Sequence, residues 1–100
     1  MMQTAQQGSD NCIFVGDKPF MNYVAAIIMQ FSTHEQPSVQ IKARGKHISR
    51  AVDVMEVTLK DFLDEEIILK EISTDSDIVR NREGKQVRVS TVNMLLERTT

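Results

Sequence analysis

Residues 39–63, VQIKARGKHISRAVDVMEVTLKDFL, change hydrophobic period once, at Gly45. Before the glycine the alternation is strict: Val39, Ile41 and Ala43 point one way, Gln40, Lys42 and Arg44 the other. A period of two belongs to a strand, here with one apolar and one wet face. After the glycine, Ile48, Ala51, Val52, Met55, Leu59, Phe62 and Leu63 recur at helical spacing. That stripe predicts an amphipathic helix from about Lys46 to Leu63, packed onto the strand that precedes it.

The flanking segments extend this frame. Cys12-Ile13-Phe14-Val15, closed by Gly16, reads as a short buried strand. Asp17-Lys18-Pro19 then forms a helix start, with Pro19 in the first turn, where its missing N–H is no loss. Phe20, Val24, Ile27, Ile28 and Phe31 carry that helix to about Thr33, and His34 to Ser38 connect it to the strand at Val39. Two further strands follow, Glu66–Ser73 and Gln86–Glu97. The apolar residues of the second change phase between Val89 and Val92, as at a bulge or a face that switches partners. Between them, TDSDIVRNREGK (74–85) is expected to be a protruding, mobile hairpin tip. The expected fold is α+β: a two-layer β-α-β-α-β-β arrangement with a four-stranded mixed sheet, two helices and a protruding C-terminal hairpin. Residues 1–10, polar and without periodicity, read as a disordered arm ahead of a domain spanning 11–98.

With 100 residues the chain makes one small domain, whose modest core would gain from association with a second copy. Cys12 is the only cysteine, so an internal disulfide is excluded, which fits a reducing cytosol. Its expected role is that of a small buried apolar residue. Neither an apolar run of membrane-spanning length nor a signal-peptide pattern is present, so a cytoplasmic protein is expected.

Catalysis finds little support. His34 and His47 have no Cys or His at metal-site spacing, so no metal and no cofactor is expected. Asp61, Asp64, Glu65 and Glu66 read as a solvated helix end and loop rather than an acid–base pair. Gly16-Asp17-Lys18 lacks the second glycine and the Ser/Thr of a phosphate loop. The chain is expected not to be an enzyme.

Charge is more informative. The chain has 14 acids against 12 bases, a formal charge of −2, yet residues 37–52 hold four bases and no acid, and residues 53–66 six acids and one base. A general polycation is thereby excluded, and any anionic ligand must meet a local patch. Lys42 and Arg44 leave the wet face of the strand together, Lys46 opens a helix whose free N–H groups favour an anion, and Arg50 follows one turn later. Phosphates of a nucleic-acid backbone suit such a surface, the alternative being a solvated basic patch without a ligand. Lys18 adds a cation at the first strand-to-helix turn, and Arg80, Arg82 and Lys85 place more at the hairpin tip, countered by Asp17, Asp75, Asp77 and Glu83.

Three separated motifs, GDKPFMNYV, KARGKHISRAVD and EGKQVRVST, stand in the same order and at matching separations in the Alba family of archaeal chromatin and RNA-binding proteins, which this chain resembles over about residues 11–98. The resemblance implies a homodimer that binds double-stranded DNA, and RNA as well, with little sequence preference, associated with the chromosome. It implies body contacts from Lys18, Lys42, Arg44 and Lys46, and arm contacts from Arg80, Arg82 and Lys85. Asn22 and Tyr23 would line an RNA-facing surface, with helix packing as the alternative for Tyr23. Phe62 would join dimer to dimer on crowded DNA, or else be an ordinary core residue. One departure stands out: Asp17 occupies the place of a family lysine whose acetylation weakens DNA binding. That substitution points to weaker DNA binding, a preference for RNA in ribonucleoprotein work, or a heterodimer with a more basic relative.

Overall fold

The computed structural model describes residues 11–63 and 65–99. The expected arm at 1–10 lies outside the described residues. Four strands and two helices follow one another as β1 (Cys12–Phe14), α1 (Phe20–Ser32), β2 (Ser38–Arg44), α2 (Ile48–Val57), β3 (Ile67–Arg80) and β4 (Gln86–Arg98). A 3-10 turn, Gly45–His47, leads into α2 and a π turn, Thr58–Phe62, leaves it. The sheet runs β1-β2-β4-β3, with β1 parallel to β2 and the other pairs antiparallel. This is the expected two-layer α+β fold with its mixed four-stranded sheet.

β2 organises the sheet because its alternation holds in three dimensions. Val39, Ile41 and Ala43 are buried, and they meet Val92, Met94 and Leu96 of β4, their cross-strand neighbours two by two. Against this layer lie Tyr23, Val24, Ile27 and Phe31 of α1 and Ala51, Val54 and Met55 of α2. Phe31, only 1% exposed, is the largest of these fully buried side chains and contributes about 1.5–3 kcal/mol of transfer free energy. Arg98, at the end of β4, donates a hydrogen bond to the Phe31 carbonyl and stacks its guanidinium 5.5 Å from the Phe31 ring centroid. A cation at a helix C-terminus is favoured by the helix dipole, so this contact closes α1 against the sheet.

Several local expectations are corrected. Pro19 is the N-cap of α1, with an extended backbone, rather than a residue of its first turn. β1 is buried on one side only, leaving Phe14 68% exposed, because the core packs only on the side that Ile13 and Val15 face. The long second helix is broken into three pieces. Its π turn follows Thr58, whose buried hydroxyl donates to the Val54 carbonyl (2.7 Å), and Leu63 N–H reaches back five residues to Thr58. The wider turn rotates the stripe, so Phe62, expected on the apolar face, is 51% exposed. The β4 register is unbroken, and the irregularity lies in β3, where Lys70 is the extra residue between Leu69 and Glu71. The phase change in β4 is instead a face that switches partners: Val92 onward enters the core, while Val89 lies beside Gly45.

The hairpin differs most. Pairing continues to Arg80 opposite Gln86, so the expected tip at 74–85 shrinks to the five residues 81–85. An antiparallel ladder needs backbone groups and not apolar side chains, and the β-branched run in β4 supplies strand propensity for both partners. Asn81 organises the tip: its side-chain oxygen accepts the N–H groups of Glu83 and Lys85, both at 2.9 Å, and Gly84 turns with φ 83°. The ribbon stretches the molecule to 47 × 31 × 22 Å.

One hydroxyl fixes the loop between β1 and α1. Tyr23 Oη accepts hydrogen bonds from Gly16 N–H (2.9 Å) and Lys18 N–H (3.0 Å), from a side chain only 7% exposed. Removing it strands two backbone donors, each costing on the order of 1 kcal/mol or more. Tyr23→Phe is expected to lower the unfolding free energy in urea by about 1–3 kcal/mol without changing the m-value.

Candidate nucleic-acid interface

The turn from β2 into α2 builds the centre of the site. Lys42 and Arg44 share the outer face of β2, the first half-buried and the second exposed, opposite Asn93 and Thr91 of β4. Gly45 takes φ 57°, a left-handed conformation that costs other residues about 1–2 kcal/mol, and so swings the chain into the 3-10 turn. Lys46 stands exposed in that turn. His47 next to it places Nε2 3.9 Å from the Asp17 carboxylate, bringing the two strand-to-helix turns side by side.

Arg50 joins them more firmly. It donates from Nη2 to the Lys18 carbonyl (2.7 Å) and lies 5.8 Å from the Phe20 ring centroid. With Tyr23 holding the Lys18 N–H and Arg50 its carbonyl, the peptide units around Lys18 are fixed while its side chain stays in solvent. Arg50 therefore acts here as a brace between α2 and the loop. Its sequence position, one turn after Lys46, gave no hint of this, since the partner is 32 residues away.

These elements surround an open cleft of about 890 Å³, lined by residues of all four strands together with the loop between β1 and α1 and Tyr23 of α1. Lys18, Lys42 and Arg44 contribute cations to its walls, Asp17 and Asp75 carboxylates, and Tyr23 part of its floor. Phe14 also lines it, a residue that sequence reasoning assigned to a buried strand. The parity of β1 carried the missing signal: Ile13 and Val15 face the core, so the residue between them must face outward.

Not every expected residue joins this cluster. Asn22 is exposed on the first turn of α1, and Phe62 is exposed at the π turn. Arg80, Arg82 and Lys85 sit at the far end of the ribbon, where Arg80 Nη1 donates to the Gly84 carbonyl while Arg82 and Lys85 are exposed at the tip. Arg88, behind them, donates to Ser76 Oγ across the ladder (3.0 Å). The basic residues thus fall into two separate groups, one on the body and one on the outstretched ribbon. Among the described residues, no group of three His, Cys, Asp or Glu side chains is placed to hold a metal ion, and no helix is long and apolar enough to cross a membrane.

Comparison with known proteins places this geometry. The Alba family model matches residues 11–76. A DNA/RNA-binding protein Alba of Methanococcus maripaludis is 46% identical over 87 residues, covering 87% of this chain and 97% of its own length. One from Picrophilus torridus is 42% identical over 89 residues, covering 89% and 97% respectively. The solved structure of Alba from Thermoplasma volcanium superposes with a TM-score of 0.80 at 42% identity, covering 88% of this chain and all of that one. With a family model over more than half its length and relatives of this identity across almost all of theirs, the chain belongs to the Alba family.

Proposed function

We propose that this protein binds nucleic acid as a dimer, holding double-stranded DNA with little sequence preference and RNA as well, and works at the chromosome. The observation that carries the reading is the joint presentation of Lys18, Lys42 and Arg44 on one cleft, with Lys46 on the adjoining turn. The naming of relatives as DNA/RNA-binding proteins, and not as enzymes, supports it. Cations on a rigid body fix the register of a phosphate backbone, while a slender basic ribbon is shaped to follow a groove. Arg82 and Lys85 at the tip, with Arg80 beside them, make the distal contact. Asn22 adds a polar group near the loop, and Arg50 acts through its hold on Lys18.

What the helices leave uncovered supports the dimer. Leu69 and Ile72 lie on the core side of β3, opposite the buried Leu96 and Met94, yet are 36% and 52% exposed. A second copy covering this strip removes apolar area that the small domain cannot cover alone. Phe62, outside that strip, is available for dimer-to-dimer contact on DNA.

Asp17 favours a second reading, in which this chain is the regulatory half of a heterodimer with a more basic relative. Its carboxylate, 85% exposed, stands one residue before Lys18, where a phosphate would pass. A ribonucleoprotein role is the third reading, distinguished by the ratio of duplex RNA to duplex DNA affinity.

Three outcomes check these assignments. In fluorescence anisotropy across a salt series, Arg44→Ala is expected to weaken duplex DNA binding equally for unrelated sequences and to flatten the log–log salt slope by about 1–2, two copies acting per dimer. Unequal losses between sequences would mean base readout instead. Asp17→Lys is expected to tighten binding and steepen the slope; unchanged affinity would remove Asp17 from the phosphate path. In sedimentation velocity, Ile72→Asp is expected to shift the protein from dimer to monomer, and a mutant that sediments like the wild type would sink the proposed interface.

A further inference from the structure

Phe14 is the most exposed large apolar side chain among the described residues, and neither the core nor a row of phosphate contacts explains a phenyl ring in that place. The parallel register sets it beside Lys42, whose Nζ lies 6.0 Å from the ring centroid, the outer limit of a cation–π contact. That ammonium is therefore loosely held and can turn to a phosphate. The ring itself remains largely open.

The chemistry of the surrounding walls narrows what would cover it. The cleft of about 890 Å³ falls within the roughly 300–1,000 Å³ of small-ligand sites. It combines this ring with the cations of Lys18, Lys42 and Arg44 and with two groups that have no use for phosphate, Asn93 and Asp75. Asn93 donates its Nδ2 to Gln40 Oε1 (3.0 Å), while its Oδ1 is buried with no donor from the protein. Asp75 takes the Ser76 N–H on Oδ1 (2.7 Å) and remains exposed. A carboxylate repels phosphate but accepts readily from a hydroxyl, as a ribose 2′-OH would offer. Bases within a duplex are stacked on one another and present no free face to a ring, whereas an unpaired base does.

We propose that this cleft holds one unpaired nucleotide of single-stranded RNA: its base stacks on Phe14, its phosphates lie against Lys42 and Arg44, and its ribose hydroxyl donates to Asp75. This rests on the nucleic-acid reading above and adds a strand-state preference that a phosphate surface alone does not have.

The test uses the full chain and three labelled probes: an unstructured single-stranded RNA, the DNA strand of the same sequence, and the duplex DNA. Phe14→Ala, at an exposed position that folding tolerates, is expected to weaken the RNA about five- to a hundredfold while duplex DNA changes less than about twofold. Phe14→Trp is expected to keep RNA affinity. Because the chain has no tryptophan, that indole reports stacking directly, through fluorescence quenching on RNA but not on duplex addition. Asp75→Ala, which removes the acceptor, is expected to bring the affinities for RNA and for the matching DNA strand together. Equal losses on single strand and duplex for Phe14→Ala, or an unquenched indole, would overturn the stacking site. Wild-type protein that binds the RNA and DNA strands alike would overturn the ribose assignment. Failure of the wild type to bind duplex DNA overturns the proposed function instead, and is read from a different probe.

Discussion

The alternation of β2 is the constraint on which the rest of the molecule depends. Its inward residues, Val39, Ile41 and Ala43, are held by both helices and by β4, and the same backbone therefore turns Gln40, Lys42 and Arg44 outward without choice. A slip of one residue would put two cations into the core and three apolar side chains into water. Stability and charge placement are thus written into a single strand: the hydrophobic energy that seats β2 is also what turns its cations outward. Parallel pairing with β1 and antiparallel pairing with β4 lock the register from both sides.

Around that strand, the two strand-to-helix turns are tied together instead of being left to solvent. Tyr23 holds the first turn from below, Arg50 reaches across to it from α2, and His47 faces Asp17 between them. A loop anchored in this way has little conformational entropy left to lose on any association. The arm follows the opposite plan, with a five-residue tip arranged by Asn81 and cations of which Arg82 and Lys85 are exposed. The body supplies fixed geometry and the ribbon supplies reach.

Patterns local in sequence were legible. β2, the core stripes of both helices, the element order and the grouping of Lys42, Arg44 and Lys46 all follow from periodicities within a few residues. Residues whose roles depend on distant partners were not. Arg50 acts through a hydrogen bond to a carbonyl 32 residues away, and Phe14 was misread because a run of four apolar residues hides the alternation that sends it outward between Ile13 and Val15. The run from Thr74 to Asp77 looked like a turn because its side chains are turn formers, but the ladder with β4 recruits its backbone regardless. Phe62, expected on the apolar stripe, is exposed because it lies in the π turn that follows α2.

The acids on β3 also acquire a purpose. β3 is a 14-residue edge strand, and over the ribbon both of its faces are open, the arrangement most prone to recruiting a further strand from a neighbouring molecule. The ladder is irregular at Lys70, whose ammonium pairs with Glu97 of β4 (3.0 Å), and Glu71, Asp75 and Asp77 stand exposed along the strand, so any incoming strand meets an irregular border rich in carboxylates. Carboxylates that are a liability toward phosphate are in this position a guard against fibrous self-association. The mildly acidic balance of the chain then goes with a hairpin that carries cations at its tip and carboxylates along its open edge, and remains a ribbon of only two strands.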